Sequence, residues 1–366
     1  MSKIGLMGGS FDPVHLGHIE LMRLAIEQLS LDNFMFIPVA NNPWKEQSRA
    51  CKQQRLEMLE LATSSYPNVS INTMEIDDDR EGKNYTINTL KKIKQQHPND
   101  ALFYIMGMDQ ASQFDRWKCA NEISQYAQLV AFQRTGYKAN ECITTYQFIT
   151  LNNTPNSISS SAIRDGNISY LDPQVLRYIS NHGIYLDTML KNTMSKKRFT
   201  HTKSMANLAK EIAKENNLDP IKAYIAGMFH DIAKEMTPTE AKPIMETHFP
   251  NYIDSPFPIW HQWLSAYIAK EVYLVEDEEV LQAIRRHTNA STNMSKMDMC
   301  IYVSDKYDPS RGYEVEQSIA LCKQDVVAGF TQCLKEVFSI IKQKNIEIDS
   351  YFYKVYTTYT KEKLDE

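Results

Sequence analysis

Short apolar runs alternate with stretches of helical spacing through the first half of the chain. Lys3–Met7, Phe34–Val39, Val69–Ile76, Leu102–Met106, Leu129–Phe132 and Phe148–Leu151 read as strands. His15–Leu29, Cys51–Ala62 and Ile87–Gln96 carry the period of helices between them. Strand and helix in regular alternation predict a doubly wound α/β unit on a parallel sheet. Such sheets bind ligands at the carboxyl ends of their strands. From about Leu186 the strand pattern stops. Phe199–Asn216, Pro220–Ala233, Pro238–His248, Pro258–Tyr273, Glu278–His287, Met297–Tyr307 and Glu314–Ile346 all read as helices. The expectation is α/β plus all-α, divided as residues 1–186 and 187–366. The join falls in the polar stretch Leu186–Lys197, and the tail Lys361–Glu366 is expected to fray.

Composition narrows the class. A chain of 366 residues exceeds what one core usually spans, in keeping with two domains. Hydrophobic residues make up 43% and charged residues 23%, as in an ordinary globular protein. The net charge of −5 gives no support for a nucleic-acid or membrane surface. No stretch approaches a membrane span and the N-terminus runs straight into a strand, so no signal peptide is expected. Six scattered cysteines without a CxxC pair suit free thiols in a reducing cytoplasm. A homo-oligomer is left open.

Candidate chemistry begins at Gly8, in the stretch GGSFDPVHLGH. Gly8 and Gly9 end the first strand, where glycine permits a sharp turn and close approach of a ligand. The helix after Pro13 offers unpaired N–H groups and the positive end of its dipole to an anion. His15 and His18 lie in its first turn, three residues apart, and can face one phosphate. Farther on, Ser159-Ser160-Ser161 open a short helix whose first turn carries Arg164, a second set of phosphate donors.

His15-Leu16-Gly17-His18 resembles the HxGH hallmark of the nucleotidyltransferase superfamily, which implies a Rossmann-like fold for this half. Ile158-Ser159-Ser160-Ser161-Ala162-Ile163-Arg164 is similar to its ISSxxIR motif. Asn42-Pro43-Trp44-Lys45, Tyr85-Thr86-Ile87, Gly107-Met108-Asp109 and Arg116-Trp117-Lys118 resemble segments of nicotinate-nucleotide adenylyltransferases. The resemblance covers residues 1–186. It implies that ATP and nicotinate mononucleotide give deamido-NAD and pyrophosphate, with Mg²⁺ balancing charge. It places Gly8, Gly9, Ser10, Phe11, His18, Gly107, Asp109, Arg134, Ser160, Ser161 and Arg164 at ATP. Lys45, Thr86 and Trp117 are then at the nicotinate nucleotide, and His15, His18, Lys45 and Arg164 are catalytic. Several positions keep a second reading: Trp117 as a core aromatic, Asp109 as a turn cap, Arg134 as a solvated loop charge. The choice between nicotinate and nicotinamide is left open.

The helical half carries His201, His230, His261 and His287 beside apolar positions, with Asp231 directly after His230 and Asp305 at helical distance from Ile301 and Tyr302. A polar group on a buried face needs a partner. One such histidine is ordinarily bonded within a core, but four with two aspartates fit metal better. Six nitrogen and oxygen ligands on one octahedral ion would leave no place for substrate. Two ions sharing Asp231 would leave open positions.

The order His201, His230-Asp231, Asp305 resembles the HD phosphohydrolase superfamily, and implies a helical HD-type domain. Lys197-Arg198-Phe199-Thr200-His201, His230-Asp231-Ile232-Ala233-Lys234, His287-Thr288 and Ser304-Asp305-Lys306 are similar to bacterial HD hydrolases that split diadenosine tetraphosphate into two ADP. One departure is Gln262, where that family carries Gly after its third metal histidine. The resemblance implies two divalent ions, iron or manganese, with Asp231 and Lys234 catalytic. Lys234 and Arg311 are candidates to neutralise polyphosphate, or else are solvated charges. Two alternatives remain for this half: another nucleotide substrate (a nucleoside monophosphate or a dNTP), or a nucleotide sensor without turnover that regulates the transferase.

Overall fold

The computed structural model describes residues 1–40, 49–77, 85–312 and 314–362. It forms two compact units, Met1–Val175 and Leu176–Glu366. The first holds six strands: β1 (Lys3–Gly9), β2 (Asn33–Pro38), β3 (Val69–Ile71), β4 (Ala101–Gly107), β5 (Gln128–Arg134) and β6 (Ile149–Asn156). Their order is β3-β2-β1-β4-β5-β6, and every pairing is parallel. Helices Leu16–Leu29, Lys52–Thr63, Thr86–Gln96 and Ala120–Tyr126 lie between the strands in sequence. Strands covered on both faces run apolar throughout, and Leu6, Phe34, Phe36, Ile105 and Val130 are each 0% exposed. The chain leaves β1 on one side for β2 and returns on the other side as β4. At such a reversal the connections diverge and open a crevice at the carboxyl ends. Gly8-Gly9, Gly107 and Arg134 end the three strands that border it.

The structure departs from the sequence pattern in several places. The run Val69–Ile76 is a strand only over Val69–Ile71. Asn72 ends it, because its side-chain oxygen accepts from Met74 N–H at 3.0 Å and turns the chain. Glu314–Ile346 is two helices, Glu316–Gln324 and Val326–Gln343. Asp325 breaks it in an extended conformation and caps the second helix by accepting from Val327 and Ala328 N–H. Helices Pro173–Asn181 and Ser350–Thr360 were not expected from periodicity. The boundary between units falls inside the first of these, ahead of the expected 186/187 join. Residues 176–186 pack with the second unit: Ile179 and Leu186 are 0% exposed. Asn181 donates to the Leu274 carbonyl at 3.0 Å and accepts from Glu276 N–H at 3.0 Å.

One buried charge braces the crevice. Arg55, 1% exposed, donates to the carbonyls of Ser10 at 2.7 Å and Val39 at 2.8 Å. It ties the turn after β1 to the chain leaving β2. Arg55→Met keeps the length of the side chain but leaves both carbonyls without that donor. It is expected to destabilise the first unit by about 2–3 kcal/mol, read as a lowered denaturant midpoint for loss of sheet signal.

The second unit is helical, with no strand among its described residues. Helices Lys196–Glu215 and Pro220–Phe229 cross closely at Gly227, where an added Cβ would lie 2.6 Å from Ala206 Cα. Only glycine allows that approach, and it brings His230, just past one helix, beside His201 on the other. No helix among the described residues is long and apolar enough to cross a membrane.

Candidate active sites

In the first unit two cavities open from one floor. A cavity of about 560 Å³ is lined by His15, His18, Arg134, Ser161 and Arg164, among others. A second, of about 400 Å³, is lined by Glu75, Tyr85, Thr86, Tyr104 and Trp117, among others. Both are also lined by Gly8, Gly9, Ser10, Asp109 and Gln110. Of the expected residues, Phe11, His18, Gly107, Arg134, Ser160, Ser161 and Arg164 line only the larger lobe, Thr86 and Trp117 only the smaller, and the two lobes meet at the glycine turn.

His15 begins the helix Leu16–Leu29 as its N-cap, which sets His18 one turn in. The two rings stack with centroids 3.7 Å apart. His15 N–H donates to His18 Nδ1 at 3.2 Å, so the neutral His18 ring carries its proton on Nε2. Phe11 meets His18 edge-on at 5.1 Å. Ser160 Oγ donates to the Pro13 carbonyl at 2.9 Å, and Arg164 donates to the Asp12 carbonyl. Arg164 also approaches Ser161 Oγ at 3.2 Å. Ser160 and Arg164 thus join the short helix Ser160–Arg164 to the turn after β1. Arg134 is no solvated loop charge: it pairs with Asp109 at 3.0 Å. An added Cβ at Gly107 would stand 2.2 Å from Asp109 Oδ1, so a side chain there would displace the carboxylate that Arg134 pairs with. Lys45, with the rest of 41–48, lies outside the described residues.

Trp117 fits both of its readings. It packs against Phe114 and Tyr104, at centroid distances of 5.4 and 6.2 Å, and it also lines the smaller cavity. Tyr104 and Glu75 were not anticipated. Burial raises the Tyr104 hydroxyl, which Thr86 hydrogen-bonds. Glu75 accepts from Thr89 Oγ1 at 2.5 Å, while its Oε2 is buried without a hydrogen-bond partner among the described residues. Burial raises the Glu75 carboxyl, against the opposing effects of Thr89 and Lys92. A carboxyl raised on folding contributes most stability below its unfolded value of about 4.3 and loses it as pH rises through the folded value. Glu75→Gln keeps an acceptor for Thr89 and removes the ionisation. Its stability relative to the native chain is expected to improve as pH rises from 4 to 8, read from melting curves across that range.

In the second unit all six expected ligands converge. His201 Nε2 stands 3.3 Å from His230 Nε2 and 3.2 Å from Asp305 Oδ1. His261 Nε2 stands 3.1 Å from His287 Nε2. Asp231 divides between them: Oδ2 is 3.4 Å from His230 Nε2, and Oδ1 is 3.3 Å from His261 Nε2. The ring nitrogens on the far side are committed. His230, His287 and His261 direct Nδ1 to the carbonyls of Gly227, Ile284 and Pro258 at 2.7, 2.7 and 2.9 Å. His201 directs its Nδ1 to Asp308 Oδ2 at 2.7 Å. A carbonyl accepts only from N–H, so the Nε2 lone pairs of neutral rings face one another. Four inward lone pairs and two carboxylates, nearly all buried, form a donor set suited to cations at their centre. The donor set fits two trios, His201–His230–Asp231 and Asp231–His261–His287. Gln262, the departure noted in the sequence, leaves the His261 ring within this cluster.

The electrostatics agree. Burial acts to raise Asp231, but the neighbouring His230 and His287 reverse this and hold it far below the carboxylate range. Burial, then the nearby His287, presses the His261 ring down to about 2, and burial lowers His287. Cationic side chains cap the carboxylates: Arg198 on Asp231 at 2.6 Å, and Arg311 and Lys306 on Asp305 at 2.7 and 2.8 Å. Lys234 Nζ lies 3.1 Å from His261 Nε2, and burial lowers its pKa. Lys234 and Arg311 thus both touch the cluster, Lys234 half-buried and Arg311 exposed but paired with Asp305. Thr288 Oγ1 reaches His261 and His287 at 3.1 and 3.0 Å. Arg198, Thr288 and Lys306 stand inside the quoted motifs, and their roles had no signal in spacing alone. Asp308 had none at all.

Known proteins match both halves. The cytidylyltransferase-like family matches residues 6–166 and the HD domain matches residues 198–310. A Mycoplasma genitalium protein named probable nicotinate-nucleotide adenylyltransferase/Ap4A hydrolase is 30% identical over 355 residues, covering 93% of this chain and 99% of its own. A Geobacillus kaustophilus protein named probable nicotinate-nucleotide adenylyltransferase is 34% identical over 192 residues, covering 50% of this chain and 87% of its own. Among solved structures, a predicted HD superfamily hydrolase involved in NAD metabolism from Clostridium acetobutylicum aligns with a TM-score of 0.44 and 24% identity. It covers 48% of this chain and 95% of its own. The full-length match to the Mycoplasma protein shows that this chain belongs to the family that joins a cytidylyltransferase-like unit to an HD-domain unit.

Proposed function

We propose that the chain is a bifunctional enzyme. The first unit transfers the adenylyl group of ATP to nicotinate mononucleotide, giving deamido-NAD and pyrophosphate. The second hydrolyses diadenosine tetraphosphate to two ADP. The observation that carries the first reading is the pair of lobes meeting at Gly8–Ser10. ATP in the larger lobe and the mononucleotide in the smaller would bring their phosphates together there. An oxygen of the mononucleotide phosphate attacks the α-phosphorus in line, and pyrophosphate leaves. His15, His18 and Arg164 supply donors where charge builds, while Thr86 and Trp117 hold the pyridine ring. Mg²⁺ arriving with ATP balances the remaining charge.

The division of Asp231 between two histidine pairs carries the second reading. His201, His230, Asp231 and Asp305 would hold one divalent ion, and Asp231, His261 and His287 another. The ions, iron or manganese, would supply Lewis acidity and an activated water. Water adds to a central phosphorus and one ADP leaves as the other is completed. Arg311 at the His201 end and Lys234 at the His261 end would neutralise the phosphates on either side. A complete ligand set favours turnover over a sensor role.

The test is chromatographic product analysis of the full chain. It is given ATP with nicotinate or nicotinamide mononucleotide, and separately diadenosine tetraphosphate with and without iron or manganese. Deamido-NAD and metal-dependent ADP are expected. Failure of either product removes the corresponding half.

A further inference from the structure

The four imidazoles of the second unit are not held alike. Three give Nδ1–H to a main-chain carbonyl three residues earlier in the chain. His201 instead gives it to a carboxylate more than a hundred residues away, at 2.7 Å. Asp308 is 0% exposed. Placing a carboxylate there costs far more desolvation than a carbonyl, which orients a ring equally well. Asp231 and Asp305 are capped by Arg198, Arg311 and Lys306. Asp308 has no lysine or arginine partner among the described residues. It accepts from Ser310 N–H at 3.1 Å and from the hydroxyls of Ser310 and Ser204, and otherwise faces His201. Its charge therefore acts chiefly through that ring, polarising it toward Nε2 and strengthening Nε2 as a donor to a cation.

We propose that Asp308 is a positioning residue that makes the two metal positions unequal, so that the ion between His201, His230, Asp231 and Asp305 is held more tightly than the ion between Asp231, His261 and His287. The second position has main-chain carbonyls behind both its rings and one carboxylate to share, whereas a cation stands beside one ring of each position, Arg311 Nη2 3.4 Å from His201 Nε2 and Lys234 Nζ 3.1 Å from His261 Nε2. The proposal rests on the two-metal reading of this centre, which the same experiment checks separately.

The test uses the full chain, stripped with chelator and titrated with Mn²⁺ by equilibrium dialysis, with electron paramagnetic resonance to report paired ions. The native chain is expected to show a tight and a weak site. Asp308→Asn keeps the shape and an acceptor for His201 but removes the charge. It should weaken the tight site about 10–100-fold, leave the weak site near its native value, and leave melting of the metal-free chain unchanged. Ser310→Ala, which strips one support from the carboxylate, should weaken the same site by a smaller factor. An Asp308→Asn isotherm like the native one overturns the proposal. So does equal loss at both sites with a lowered metal-free melt, which marks a purely structural role. If Asp308→Asn fails to fold, a native isotherm for Ser310→Ala overturns it. A native chain that binds no Mn²⁺ overturns the two-metal reading and this proposal with it.

Discussion

Asp231→Asn should abolish hydrolysis in the second unit and leave adenylyl transfer in the first intact. Asp231 faces both histidine pairs, with Oδ2 toward His230 and Oδ1 toward His261. Asparagine matches its shape but offers one acceptor oxygen, no charge, and an NH₂ aimed at imidazole lone pairs or a cation. Loss of a residue that merely supports a ligand costs metal affinity 10–100-fold, so loss of a ligand common to two ions should cost more than about a hundredfold in each. ADP release should fall by at least the same factor. The checks are metal stoichiometry by atomic absorption and ADP formation, with deamido-NAD formation by the same preparation as the control. A variant that retains two ions and full ADP release would show that Asp231 bridges nothing.

The second large effect is expected at His18. Its Nδ1 receives the His15 N–H, which makes Nε2 the proton-bearing nitrogen of the neutral ring and the one that would donate to a phosphate oxygen. The phosphate charge it meets grows as the α-phosphorus is attacked, so the bond strengthens in the transition state. Removal of one such donor costs about 10²–10³ in kcat, or ~3–4 kcal/mol. His18→Ala should show that loss with KM for the mononucleotide moved only a few-fold, because the proposed place of the acceptor's ring is the other lobe. A change confined to KM would instead make His18 a ground-state binding group. The hydrolase reaction is the control for chain integrity.

The two sites were legible in the sequence to different degrees. The first announced itself because its residues are local: His15 and His18 share one turn of one helix, and Ser159–Arg164 share another. What stayed hidden were groups brought in from afar, such as Arg55 under the crevice and Glu75 beside Thr89. Arg134, placed at ATP by resemblance, kept a second reading as a loop charge because its partner Asp109, just past the end of the neighbouring strand, is distant in sequence. In the second unit the ligands were found by pattern, a polar residue repeatedly set on an apolar helix face. Asp308 follows the last helix of the set in a short turn with no periodicity to stand out from. Its meaning exists only through His201.

Periodicity and local motif chemistry by themselves determined the two classes of fold, the glycine turn with its histidines, and the six candidate ligands. They could do so because strand alternation, helix faces and caps depend on neighbours a few residues apart. The tertiary structure alone decided where one unit stops inside the helix Pro173–Asn181, where Asp325 breaks a helical run, and how Asp231 is shared. Those outcomes depend on contacts between distant segments: the close crossing at Gly227, the buried reach of Arg55, the carboxylate behind His201. Such contacts are set by packing in three dimensions, and no spacing along the chain encodes them.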